Sequence, residues 1–499
     1  MNPPARLSVS FPFFNSRPKK MRSLLTFFVV FISIAASLNA QTSPQKAVYA
    51  VVSSAETFAD PAWEKSVQAL EKKYAERFDV HRVEIPALDA DEEALKAFVG
   101  RMRELMPYYS CFLLRPEELG ETRVRQIHQL TRVLNDDPYT DTIWGIITGF
   151  TPEDALRVAS CSEPLTVRRV AGISPMPLES FESGVWYDEG RKNHYVEKTV
   201  GPDGKAVITD HTDGPGDTTR ALAEAWKGAD LFLTSAHATS HDWQPGYSYR
   251  NGCFRSKNGE YLACPLEGEP FPVTCDGPKV HIAAGNCLIG NVDDRDCMVL
   301  AEFHSLGVNA FVGYTVPTWF GYMGWGVLEY YLGQPGQFTC AEAFFASNQA
   351  LTYRLMQLLP ELTTAESKEE IQKRFNELSN DQKRDVQGLL YDRDTVAFYG
   401  DPAWESRLAP PQKGTFWAQE LTKKPDGGWT LNVSRKTVEA QNQTGDPGNA
   451  GETRDAANAG SSGRPLVQIL PPEAVGESVD GPSVMKGRVF ILVEKTASN

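Results

Sequence analysis

Short apolar runs alternate with amphipathic stretches from about residue 47 to residue 400. Residues 47–52 read as an apolar strand. Residues 62–78 then place Trp63, Val67, Leu70 and Tyr74 at helical spacing on one face. Residues 80–85 alternate like a strand, and Asp91 caps a helix running to about Met106. A buried strand follows at 109–114, a helix at 123–134 and a strand at 142–148. Thr151 and Pro152 start the next helix, a capping residue followed by a proline in the first turn. Strands and helices taking turns in this way predict an α/β fold built on a parallel sheet.

A second round begins at 167–173. The polar, glycine-rich stretch 179–216 predicts an excursion that covers the sheet edge. Thr218 or Thr219 caps a helix to Trp226, and the strand after it ends at His237. Residues 240–278 form a long irregular insert rich in Gly, Pro, Cys and aromatic residues, the kind of loop that is usually functional. With so many aromatics and so few aliphatics, it predicts a surface for extended ligands rather than a core. After Cys287 come a helix at 296–305, a strand at 310–314, helices at 322–332 and 341–359, and a polar helix at 367–390. The pattern changes at about residue 413. Strands are predicted at 415–421, 429–433, 466–470 and 487–493 with no helices between them. This tail, 413–499, reads as a small all-β, sandwich-like domain with a flexible insert at 442–464.

The runs 229–237 and 279–287 carry the candidate chemistry. Both are rich in Leu, Ile and Val and end in small residues, which predicts buried parallel strands. Ligands bind beyond the carboxyl ends of strands in open α/β sheets. His237 and Cys287 therefore emerge at one edge, as an acid/base partner and a nucleophile. The plain alternatives are a core or disulfide-bonded cysteine and an ordinary hydrogen-bonded histidine. His241 competes with His237. His237, His241 and Asp242 also resemble a zinc pattern, but Pro245 and Gly246 argue against the helix that it needs.

Composition narrows the classes. A chain of 499 residues predicts two or three domains, and 41% hydrophobic with 23% charged residues is ordinary for a globular protein. A net charge of −14 argues against nucleic acid or an anionic membrane as partner. Lys19, Lys20 and Arg22 precede an apolar core at 24–36 that is too short to span a bilayer. Ala40 then offers a cleavage point. Residues 1–40 are read as a signal peptide, with Met21 as a second candidate start and an uncleaved anchor as the alternative. The expectation is an exported protein, secreted, periplasmic or on the cell surface, without membrane insertion after cleavage. Some of its eight cysteines should then pair. Two of Cys253, Cys264 and Cys275 are expected to bond, or one of them with Cys297. Cys111 and Cys161 are candidates for a free buried thiol.

Asn286-Cys287 with Gly290, then 297–303 (Cys-Met-Val-Leu-Ala-Glu-Phe) and 307–313 (Gly-Val-Asn-Ala-Phe-Val-Gly), resemble the gingipain-type cysteine peptidases. Segments 107–114, 145–155 and 399–403 fall where similar ones occur in that family, so the resemblance covers roughly 48–408. It implies a caspase-like fold, with an N-terminal α/β part at 46–165 and a catalytic part at 166–408. It also implies an endopeptidase with a Cys287–His237 dyad that works through a thioester acyl-enzyme on peptide or protein substrates. The backbone N–H groups of Ala238 and Cys287 would form the oxyanion hole, with Ala238 standing where the family usually has glycine. The segment after the next strand, with Tyr314, Thr315, Trp319 and Phe320, would line the substrate pocket. Some relatives orient the histidine with an acidic residue, and the strand end at 172–175 lacks one. No cofactor or catalytic metal is implied. Asp293, Asp294 and Asp296 offer oxygens to a structural calcium, or simply form the charged start of a helix. The rival function is a catalytically inactive caspase-fold protein used for binding or surface assembly.

Overall fold

Apolar runs too long for one-faced strands need cover on both sides, and the fold supplies it with a sheet between helical layers. The computed structural model describes residues 46–495 except 202–203, 363–367, 411–413, 426, 439–463 and 482–484. The expected signal peptide and nearly all of the 442–464 insert lie outside the described residues.

Twelve strands form the central sheet, labelled here in chain order. They are β1 Val48–Ser53, β2 Asp79–Glu84, β3 Tyr109–Leu113, β4 Ile143–Ile147, β5 Arg169–Gly172, β6 Ser183–Tyr187, β7 Tyr195–Val200, β8 Ala206–His211, β9 Leu231–Thr234, β10 Lys279–Ala283, β11 Val308–Tyr314 and β12 Val396–Gly400. Their order across the sheet is β2-β1-β3-β4-β12-β11-β10-β9-β5-β6-β7-β8. The strands β1 to β4 run parallel to one another. So do β11, β10, β9, β5 and β6. Antiparallel pairs join β11 to β12 and add β7 and β8 at the far edge. The molecule is thus α/β with a mixed, mostly parallel sheet flanked by helices.

Local sequence explains the helices. Asp60 accepts the Ala62 N–H at 2.9 Å and Pro61 opens the helix Pro61–Tyr74, whose buried face is Trp63, Val67, Leu70 and Tyr74. The polar stretch expected as a single helix is two, Lys368–Glu377 and Asn380–Asp392, the second capped by Ser379.

Two other expectations are corrected. The 179–216 excursion does not cover the sheet edge; it extends the sheet as β6, β7 and β8. The 240–278 insert is not irregular. It holds a four-stranded antiparallel sheet of Asp242–Trp243, Cys253–Lys257, Glu260–Cys264 and Phe271–Pro272. Trp243, Phe254 and Tyr261 are buried there, with Phe254 stacked on Trp243 and all three beside Trp226. Its aromatics make a small core, and only Tyr247 stands out to solvent, 60% exposed.

The tail has two small sheets. One joins Gly414–Lys423, Trp429–Val438 and Val479–Asp480; the other joins Leu466–Ile469, Phe490–Val493 and Met485–Lys486. Alternation along the second sheet turns Leu466, Ile491 and Val493 toward Trp429 and Leu431. It turns Val467, Ile469, Phe490 and Leu492 into the main core. Polar ties reinforce the junction. Tyr108 Oη donates to the Leu470 carbonyl and Tyr330 Oη to that of Pro465, both at 2.6 Å. Arg464 is buried with its guanidinium 3.6 Å from the Tyr322 ring centroid. Among the described residues no helix is long and apolar enough to cross a membrane.

One buried polar unit lies inside the sheet under the candidate dyad. His281 on β10 bonds Glu302 Oε2 at 2.7 Å through Nδ1 and Thr234 Oγ1 on β9 at 2.9 Å through Nε2. The His281 and Glu302 side chains are fully buried, and burial pushes the Glu302 carboxyl upward. Removing one partner strands the other without water. Glu302→Ala is therefore expected to cost about 3–5 kcal/mol, and Glu302→Gln, which can still bond the ring, less. Urea denaturation checks both, and a wild-type midpoint for Glu302→Ala would refute the assignment.

Candidate active site

Parallel pairing brings the two candidate residues to one edge. Leu231 to Thr234 lie opposite Val280 to Ala283, so β9 and β10 end level with each other. His237 follows three residues after the end of β9 and Cys287 four after the end of β10. The loops beyond the strands touch. A Cβ placed on Gly285 would lie 2.3 Å from Ser235 Oγ, so a larger residue there would have to displace that hydroxyl.

The Cys287 turn is stitched to the chain beyond β11. Leu288 N–H donates to the Val316 carbonyl at 3.0 Å and Gly290 N–H to that of Tyr314 at 2.9 Å. Leu288 holds a left-handed φ of 59°, a conformation that costs a branched residue about 1–2 kcal/mol. Backbone strain of this kind concentrates at functional sites. Cys287 is half-buried, and the Thr318 N–H donates to its Sγ at 3.2 Å.

His237 is exposed and its ring stacks on Tyr247, with centroids 4.8 Å apart. Among the described residues no hydrogen bond joins that ring to Cys287 Sγ. The backbone on either side of the histidine forms the edge of the insert's small sheet. Thr239 N–H donates to the Asp242 carbonyl at 2.8 Å, and Gln244 N–H to that of His237 at 2.9 Å. Ala238 lies opposite Trp243 between these two bonds, as a pair that exchanges none. Its N–H therefore points away from the hairpin.

The strand end without a carboxylate receives one from elsewhere. Glu189, two residues beyond β6, donates its N–H to the Ile173 carbonyl at 3.2 Å, and its carboxyl accepts from Ser174 Oγ at 3.5 Å. Its own carbonyl accepts the N–H groups of Tyr247 at 2.6 Å and Ser248 at 3.2 Å. Glu189 thus anchors the residue on which His237 stacks. Burial, with Asp188 adding to it, pushes its carboxyl up to about 8.

The expected pocket residues divide. Tyr314 and Thr315 are fully buried; Tyr314 Oη donates to Asp392 at 3.1 Å and Thr315 Oγ1 to the Thr395 carbonyl at 3.0 Å. β11 runs as far as Tyr314, so both side chains belong to the core. Trp319 is 53% exposed, set edge-on to Tyr391 at 5.9 Å. Phe320 is half-buried against Gly388, where an added Cβ would fall 2.2 Å from its ring. The surface beside the thiol is therefore Thr318, Trp319, Phe320 and Tyr391.

A metal-ligand geometry also occurs, with a membership the sequence did not suggest. His241, Asp293 and Asp294 offer ligand atoms within 4.8 Å of one another. His241 Nε2 lies 3.4 Å from Asp293 and 3.2 Å from Asp294. Ser240 Oγ donates to the other Asp293 oxygen at 2.7 Å. One imidazole nitrogen and two carboxylates suit zinc or manganese better than calcium, which takes oxygens alone. His237 and Asp242 take no part, Asp242 instead accepting from Thr239 Oγ1 at 3.1 Å. Asp296 is likewise engaged elsewhere, accepting the Asn258 N–H.

No protein-family model and no curated protein matches this chain.

Glu189 gives a pH test. Its unfolded carboxyl ionises near the ordinary 4.5, and its folded one near 8. Between these values the unfolded chain binds fewer protons, so this group's contribution to stability is lost as pH rises through that window. Glu189→Gln is expected to flatten the fall in thermal midpoint from acid to mildly alkaline pH. Parallel curves for the two proteins would exclude Glu189 as the source.

Proposed function

We propose that the chain is an exported cysteine endopeptidase of caspase-like architecture, with Cys287 as nucleophile and His237 as acid/base partner. The observation that carries this reading is the arrival of both residues at one edge of adjacent parallel strands, with a backbone N–H already donating to the sulfur. Peptides or proteins are the substrates, and nucleic acid is not a partner. The tail at 413–499 is read as a small all-β domain.

In this mechanism the Cys287 thiolate attacks the scissile carbonyl. The charge that develops on its oxygen meets the N–H groups of Ala238 and Cys287, each worth on the order of 3 kcal/mol in the transition state. His237 protonates the leaving amine, a thioester forms, and His237 then activates the water that hydrolyses it. Ring stacking on Tyr247 limits the rotations open to His237 and so assists its aim.

A second reading, an inactive caspase-fold binding protein, draws on the same stacking, since a ring held on Tyr247 is not bonded to the thiol. A peptidyl electrophile that alkylates active-site thiols separates the two. Selective labelling of Cys287, abolished by His237→Ala, supports the peptidase; labelling no faster than that of the other half-buried cysteines supports the binding protein. In turnover of a cleaved peptide, Cys287→Ala is expected to be inactive, and His237→Ala to lose roughly 10²–10⁴-fold. His241→Ala should stay close to wild type. Wild-type turnover by Cys287→Ala, or a larger loss from His241 than from His237, would overturn the assignment.

A further inference from the structure

We propose that Cys253 and Cys264 form a reversible disulfide that latches the small sheet behind His237. The two residues are directly opposite one another in the antiparallel pair Cys253–Lys257 and Glu260–Cys264. Opposed residues in such a pair have Cα atoms about 4.5–5.5 Å apart, within the span a disulfide bridges. Both side chains are half-buried and lie on the same outer face as exposed Arg255, while Phe254 and Ser256 point inward. All eight cysteines are free thiols in this structure, these two included. Burial and Cys264 push the Cys253 thiol up to about 11. Neither Cys275 nor Cys297 stands opposite them in the ladder. Cys297 is fully buried at the start of the helix Met298–Ser305, and Cys275 sits near Lys279 and Lys227.

The position of the pair gives the link its consequence. One end of this hairpin is closed by Asn258 and Gly259, both at positive φ, in a type I′ turn. The cysteines stand at the other, open end. The hairpin's inner partner is the strand of Trp243, and the next backbone along is that of His237 and Ala238. Ser256 N–H also donates to the His241 carbonyl at 2.9 Å. A covalent closure at 253–264 would hold the ladder that supports the candidate base. Its influence on catalysis rests on the peptidase reading; its formation does not.

The chemistry is thiol–disulfide exchange with a disulfide oxidant, for which glutathione disulfide serves as probe. One protein thiolate attacks a sulfur of the oxidant and releases one glutathione thiolate. The second cysteine attacks the protein sulfur of the mixed disulfide and releases the other glutathione. The two protein thiols lose two electrons and two protons, and the oxidant becomes two thiols.

The full chain, equilibrated with glutathione disulfide or with dithiothreitol, is acid-quenched, alkylated, digested and mapped by mass. The expected product is a peptide pair joined through Cys253 and Cys264. It should raise the thermal midpoint by about 3 °C, a shift lost in the Cys253→Ser/Cys264→Ser variant. Separate glutathionylation of the two residues, or linkage of either one to Cys275, overturns the proposal. Activity is then compared between the oxidised and reduced forms, with the double variant treated identically to correct for oxidation of Cys287. A lower KM in the linked wild type, absent in the variant, supports the latch; an unchanged KM overturns its role at the site. A linked chain inactive in both forms overturns the peptidase reading and leaves the disulfide standing.

Discussion

The separation of His237 and Cys287 depends on the buried unit of Thr234, His281 and Glu302. Strand register has a period of two, so a slip of one residue would send every side chain of β10 to the opposite face. His281 is the only polar side chain in the middle of that strand, and it is bonded on one side to the neighbouring strand and on the other to the helix behind it. A slipped register would leave three buried polar groups without partners, at a cost of several kcal/mol. Apolar pairing alone would tolerate more slack. The polar triad makes one register far better than the rest, and with that register the two strand ends fall level.

Above the strand ends, the position of the thiol is set by close backbone approach. Gly285 lets the cysteine turn lie against Ser235, and Gly324 lets the helix Tyr322–Gly333 lie on Ala284, where an added Cβ would meet the carbonyl at 2.2 Å. The helix Asn380–Asp392 closes the other flank through Asp392, which also accepts the Met323 N–H at 2.9 Å. The insert's sheet supports the histidine from one direction, and these helices support the cysteine from the other.

The sequence displayed β9 and β10 because their burial on both faces leaves the apolar runs within 229–237 and 279–287. It concealed the insert's sheet. Trp243, Phe254, Ser256, Tyr261 and Ala263 do alternate with outward residues, but the strands are only two to five residues long, too short for the period to become visible. The strands β6 to β8 are half-exposed, so they carry little alternation and read as loop. Family likeness puts Tyr314 and Thr315 in the pocket; β11 is long enough to keep them in the core, and the surface begins at Pro317. Glu189 had no signal in spacing. Its arrival beside Ser174 follows from β6 pairing with β5, a long-range event that local pattern does not encode. The same holds for His241 with Asp293 and Asp294, which come from loops about fifty residues apart.

The tail bears on the order in which the fold can assemble. Arg488 donates to the Met106, Pro107 and Asp141 carbonyls at the amino ends of β3 and β4. Strands near residue 490 also fill the core beside elements made some 350 residues earlier. Contacts this distant in sequence delay closure, since the intervening chain must be gathered first. A nascent chain without these strands lacks part of its interior. The main core therefore cannot close until the strands near residue 490 have joined it, however early its other elements form.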